Sequence, residues 1–229
     1  MYFLSKVTIQ PNNRAKQAYA DFYRQHQQYA IHQALWQLFD LPEHSERPFL
    51  YREFERFGQI FYYVLSNIAP LAYHPFFSIQ TKQFAPDLKI CQRLGFELRA
   101  NPSMSYRDES GKTHRQDVLM LARHKALQQG FDDAYVIDDM MQKAGIDWLT
   151  KQERNERWGV HFINVQLGAY NQHRFLKPNS GKQRPIQFAS LDYQGILQIK
   201  DTEKFWQQLM IGFGKQKAFG CGLMLIRPV

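Results

Sequence analysis

Apolar and polar residues alternate from position 2 to 10, with Phe3, Val7 and Ile9 on one side and Leu4, Lys6 and Thr8 on the other. Period-two alternation predicts a half-buried strand. Pro11-Asn12-Asn13 ends it. Residues 14–39 then take a helical period, rich in good formers such as Ala15, Lys16, Gln17 and Ala18, until Asp40-Leu41-Pro42 stops it. One long helix is predicted there, kinked or broken along its length. At ~100° per residue Ile31, Ala34, Leu35 and Leu38 make an apolar stripe, whereas Tyr29, His32 and Trp36 group off that stripe, His32 nearest its edge.

Two aromatic-rich strands, 49–56 and 59–66, flank Gly58 as a hairpin. Pro70, Pro75 and Pro86 leave 67–92 without a clear element. Residues 93–100, RLGFELRA, alternate as a strand that Asn101-Pro102 closes. Polar, turn-rich residues 103–117 read as a linker, followed by a short strand at 118–121 and a mostly helical stretch to 159. Strands at 160–176 and 185–199 are joined by a basic turn at 177–182, and Asp201 is placed to cap a helix over 202–211. A glycine-rich loop and an apolar strand finish the chain.

This order gives an α+β fold of two tandem ferredoxin-like, RNA-recognition-type βαββαβ domains: an N-terminal domain at 1–102, a linker at 103–117 and a C-terminal domain at 118–229. At 229 residues the chain suits two such cores.

Lysine and arginine exceed aspartate and glutamate by 29 − 21 = 8, which favours polyanionic partners, nucleic acid first and an acidic protein second. The two cysteines, Cys91 and Cys221, suggest neither a disulfide framework nor a zinc site and read as reduced core residues. No run reaches the ~20 apolar residues of a membrane span, and the opening residues lack a secretory pattern. A soluble cytoplasmic protein without membrane attachment is expected. His44, His74, His114, His124, His161 and His173 are scattered and make no metal-ligand pattern, so neither metal nor cofactor is expected.

The loop Gly212-Phe213-Gly214-Lys215-Gln216-Lys217-Ala218-Phe219-Gly220-Cys221-Gly222 brings backbone N–H groups and two ammonium groups together. It reads as a phosphate-backbone cradle in which Lys215, Lys217, Gly214 and Gly220 are the candidates. It fits neither the dinucleotide fingerprint nor the Gly-Lys-Ser/Thr triphosphate loop. Arg174, Lys177, Lys182 and Arg184 flank the second-half hairpin and are further candidates for RNA phosphates and 2′-OH groups.

The opening MYFLSKVTI, then YAIHQALWQLF, ERPFLYR, FELRANP, the Ser180-Gly181-Lys182 turn and the terminal GFGKQKAFGCGLMLI occur in the order seen in one family. The chain resembles the CasE family, the CRISPR precursor-RNA processing endoribonucleases of type I-E systems in the repeat-associated mysterious protein superfamily. That resemblance implies metal-independent cleavage at the base of the repeat stem-loop and retention of the mature RNA in the surveillance complex. The partners it implies are the CRISPR repeat hairpin and the other complex subunits, with a monomer when isolated. The family's Tyr-x-x-His maps onto Tyr29 and His32 as the catalytic pair.

Cleavage without a metal requires a proton taken from the ribose 2′-OH and one given to the departing 5′-oxygen, and an imidazole with a pKa near ~6.5 can perform either transfer. His32 is placed first as general acid, with the base role open; Tyr29, a phenol, is assigned to positioning. Where some members carry an arginine after the histidine this chain has Gln33, so the phosphorane charge needs another source. The competing reading is a non-catalytic RNA-binding subunit of the same superfamily.

Overall fold

The computed structural model describes residues 1–26, 30–42, 45–175 and 186–229, the side chains of residues 25, 26 and 175 excepted. The chain forms two compact units, one built on Met1–Asp87 with Arg174, Phe175, Ile186 and Lys217–Gly220, the other on Leu88–His173, Gln187–Gln216 and Cys221–Val229.

The first unit runs β1 (Phe3–Ile9), α1 (Asn13–His26), α2 (Ala30–Trp36), β2 (Phe49–Arg56), β3 (Gln59–Ser66) and β4 (Phe77–Gln83). Asn12 caps α1 by accepting the Ala15 N–H at 2.8 Å, which is why Pro11-Asn12 both ends the strand and starts the helix. Its sheet has the order β2-β3-β1-β4, and β1 pairs antiparallel with β3 and β4. Val7, Tyr51, Tyr62, Val64 and Phe77 alternate onto one face and pack with Ala15, Ala34, Leu35 and Leu38 into a single apolar cluster.

The second unit contains β5 (Arg93–Ala100), the hairpin β6 (Ser103–Arg107) and β7 (Thr113–Asp117), the helices α3 (Val118–Gln128), α4 (Ala134–Thr150) and α5 (Gln152–Trp158), then β8 (Val160–Phe175), β9 (Ile186–Ile199), α6 (Thr202–Ile211) and β10 (Met224–Pro228). Its sheet order is β10-β5-β9-β8. Renumbered within each unit, both sheets run fourth-first-third-second, the order of a ferredoxin-like fold. The tandem architecture therefore stands, with Asp201 capping α6 through the Lys204 N–H at 3.0 Å as expected.

The allocation of strands differs from the sequence reading. RLGFELRA pairs with β9 and β10, so it opens the second sheet instead of closing the first. The fourth strand of the first unit is Phe77–Gln83, whose Phe77 and Ile79 alternate behind the prolines. Accordingly the units change over at Asp87/Leu88 and not within residues 103–117. Those residues form the β6–β7 hairpin, because Asp108 accepts from the Ser110 and Lys112 N–H groups at 3.0 and 2.9 Å and organises its turn. The strand expected at 118–121 is the start of α3: Asp117 accepts the Leu119 and Met120 N–H groups and commits the chain to a helix. The long first helix is divided into α1 and α2, and residues 27–29 between them lie outside the described residues. Cys221 is buried as expected, whereas Cys91 is exposed in a turn with φ +65°.

Candidate active site

Short helix α2 carries His32, and the stripe it buries is Ala30, His32, Ala34 and Leu35. The sequence reading set His32 off the core face, yet its side chain is only 9% exposed. Burial is tolerated because the ring is partnered: the Trp36 indole N–H, one turn on, donates to His32 Nε2 at 3.1 Å. In the neutral tautomer that accepts this bond, the ring proton is on Nδ1. The Phe49 ring lies 6.2 Å from the imidazole and 5.7 Å from Trp36, so the helix and β2 hold the ring between them.

Burial, and then the positive field of Arg47, lower the His32 pKa to about 4. Arg47 lies two residues ahead of β2, which begins at Phe49. The Tyr51 hydroxyl donates to the Ala218 carbonyl at 3.1 Å, tying a 3-10 turn, Lys217–Phe219, to the same strand. Lys217 is half-buried, and its pKa is pushed down by burial first and by Arg47 second. Arg47 is thus the cation felt by both His32 and Lys217. Arg47 lies within the ERPFLYR stretch of the sequence, where nothing marked it for this role.

The glycine loop is divided between the units. Lys215 belongs with the second, where it bridges Asn101 and its Nζ is 3.2 Å from Ser105 Oγ on β6; Lys217 belongs with the first. Gly214 has φ +74°, and a Cβ there would come within 3.2 Å of the Trp148 ring. Gly220, φ +78°, faces the Tyr51 ring in the same way at 3.4 Å. These two glycines let the loop turn against aromatic walls. Arg99 and Asn101 act structurally: Arg99 makes a two-point ion pair with Asp192 at 2.8 and 2.9 Å, and Asn101 donates to the Ala189 carbonyl at 2.7 Å.

Of the other candidates, Arg174 is exposed at the end of β8. Tyr29, Lys177, Lys182 and Arg184 lie outside the described residues. Among the described residues no three His, Cys, Asp or Glu side chains gather as metal ligands would, and no helix is long and apolar enough to cross a membrane. Asp133 caps α4 through the Tyr135 N–H at 2.8 Å.

Two ferredoxin-like sheets, with an imidazole in the field of a guanidinium in one of them, define a tandem ferredoxin-like protein, the class expected from the sequence. The profile of a family described as CRISPR associated protein matches residues 1–228. The chain belongs to this family, as a CasE-type member of the type I-E branch. It is 25% identical over 203 residues to the CRISPR system Cascade subunit CasE of Escherichia coli (strain K12), covering 88% of this chain and 92% of that one. Its fold resembles that of CRISPR endoribonuclease Cse3 bound to a 19 nt RNA (TM-score 0.69, 22% identity, 99% of this chain and 100% of the other). The Thermus thermophilus Cse3 structure with an RNA representing a pre-cleavage complex is similar too (TM-score 0.66, 23% identity, 99% of each chain).

Proposed function

We propose that the protein is an endoribonuclease that cleaves CRISPR repeat precursor RNA at the base of its stem-loop and keeps the mature RNA within the type I-E surveillance complex. Membership of a family whose relatives are named as an endoribonuclease and a Cascade subunit supports RNA cleavage. The observation that carries the chemistry is the buried His32 imidazole in the field of Arg47, a cation whose field also reaches Lys217 in the turn tied to β2 through Tyr51.

The reaction proceeds without a metal. A base removes the 2′-OH proton, that oxygen attacks the adjacent phosphorus, and the P–O5′ bond breaks to give a 2′,3′-cyclic phosphate, later opened to a 3′-phosphate, and a 5′-OH. With its pKa near 4, His32 is neutral at pH 7, and it takes this proton as the base only once Nε2 releases the Trp36 N–H. The acid role would require the phosphate charge to raise that pKa on binding. Arg47 and Lys217 supply the charge stabilisation that Gln33 cannot. Tyr29 positions the 2′-OH or the imidazole. Lys215, Arg174, Lys177, Lys182 and Arg184 hold phosphates, and Gly214 and Gly220 keep the loop in its course.

The burial of His32 and its bond to Trp36 favour one competing reading, a non-catalytic RNA-binding subunit. A single-turnover assay in EDTA separates the two. The expected result is cleavage of the all-ribose hairpin to cyclic-phosphate and 5′-OH ends, and none when the nucleotide before the scissile bond is 2′-deoxy. Cleavage of the deoxy substrate, or activity that returns only with magnesium, would remove this mechanism; no cleavage of either would favour the binding subunit.

A further inference from the structure

The first sheet has a second face that the proposed site does not use. Across it, Lys6 on β1 and Arg52 on β2 stand opposite Tyr63 on β3, and in the next row Phe61 stands opposite Phe54. Rows on one face of a sheet are ~7 Å apart. The acidic residues of these four strands, Glu53 and Glu55, have the other parity and turn to the helix side with Tyr51. What remains outward is cationic and aromatic: Lys6 and Arg56, with Lys82 on β4, around Phe54, Phe61 and Tyr63, while Arg52 on the same face is buried.

The rings are ordered by one another and by the cations. Phe54 stacks on Phe61 at 5.5 Å and 13°, and Tyr63 meets both edge-on at 5.4 and 5.6 Å. Lys6 Nζ is 4.8 Å from the Phe61 centroid, and the Arg52 guanidinium is 4.6 Å from that of Phe54. A groove of about 710 Å³ opens here, bounded by Lys6, Thr8, Arg56, Gly58, Phe61 and Tyr63. At its rim Phe57 is 92% exposed, with the Arg56 guanidinium 5.3 Å from its ring. A globular chain leaves few aromatic rings so bare, and a cationic face without carboxylates selects an anion.

We infer that this face is a binding site for unpaired RNA, in which Phe57, Phe61 and Tyr63 stack on bases while Lys6, Arg56 and Lys82 neutralise phosphates. Duplex RNA hides its base faces and gives the rings nothing to stack on, and an acidic peptide would answer the cations alone; an unpaired strand satisfies both. The occupant is the single-stranded segment that flanks a hairpin substrate. Stacking reads every base, so the site tolerates sequence. The inference goes beyond the proposed nuclease and shares with it only the assignment of RNA as ligand.

Three measurements test it. A fluorescein-labelled, unstructured ten-nucleotide RNA should bind the full chain with strong salt dependence, and Phe61→Leu/Tyr63→Leu should weaken that binding at least tenfold. The same variant should bind and cleave a flank-free hairpin within twofold of wild type, which also shows that it is folded. In the wild-type chain, a 5-iodouridine decamer should photo-cross-link to Phe57, Phe61 or Tyr63. Unchanged decamer affinity in the variant, or cross-links confined to other surfaces, would overturn the site. Loss of hairpin cleavage with decamer binding intact would instead remove the nuclease reading alone.

Discussion

His32 and His74 are held in similar chemical states by different neighbours. His32 is partnered by Trp36 and faces Arg47, whereas His74 lies between the Phe76 and Phe77 rings, with centroids 4.3 and 4.8 Å away. Burial lowers both pKa values to about 4. An unfolded chain takes up these protons near pH 6.5 and the folded one does not, so the associated stability is complete above that pH and is lost as pH falls toward 4. By pH 5 the loss amounts to at most about 2 kcal/mol per histidine. The urea midpoint should therefore drop between pH 7 and pH 5, and His74→Gln should drop by distinctly less; equal declines in the two proteins would contradict the assignment. For the reaction, the same field leaves His32 uncharged at neutral pH, and an incoming phosphate would oppose Arg47 and draw the pKa upward.

At the scale of elements, the glycine loop shows how backbone geometry sets side-chain position. Gly214→Ala must place a Cβ at φ +74° against the Trp148 ring, whereas Gly58→Ala, at φ +72°, meets open space. Both changes carry the left-handed penalty of about 1–2 kcal/mol, and only the first adds a clash. Denaturant unfolding should place Gly214→Ala below Gly58→Ala by about 1 kcal/mol or more; the reverse order would show that the loop yields freely. The elements with strong local signals were legible in the chain: β1, the β2–β3 hairpin, α6 with its Asp201 cap and the β8–β9 pair. What failed was pairing, which is non-local. RLGFELRA alternates equally well in either sheet, and only its register with β9 and β10 assigns it to the second. Likewise Val118-Leu119-Met120-Leu121 is apolar enough for a strand until Asp117 caps its amides. The identity of the candidate imidazole was legible through its family motif, but its burial was not, because the Trp36 bond that satisfies it depends on helix geometry and on Phe49 arriving from β2.

Over the whole molecule, one sheet order occurs in both units, and the two carry different candidate residues. The first gathers the imidazole, Arg47 and the Lys217 turn on its helix side and an aromatic, cationic platform on the other. The second holds Lys215 against β6, whereas Arg174, at the end of β8, is grouped with the first. The net charge of +8 favours a polyanionic partner, and the proposed chemistry is placed at His32, in the field of Arg47. The account rests on that imidazole, and the most direct measurement is single-turnover cleavage of a labelled repeat hairpin by His32→Ala, with hairpin affinity measured in parallel. The prediction is a rate reduced at least 100-fold, as removal of a general acid–base group typically gives, with affinity within about threefold of wild type. Cleavage at the wild-type rate by a folded, RNA-binding His32→Ala protein would contradict it.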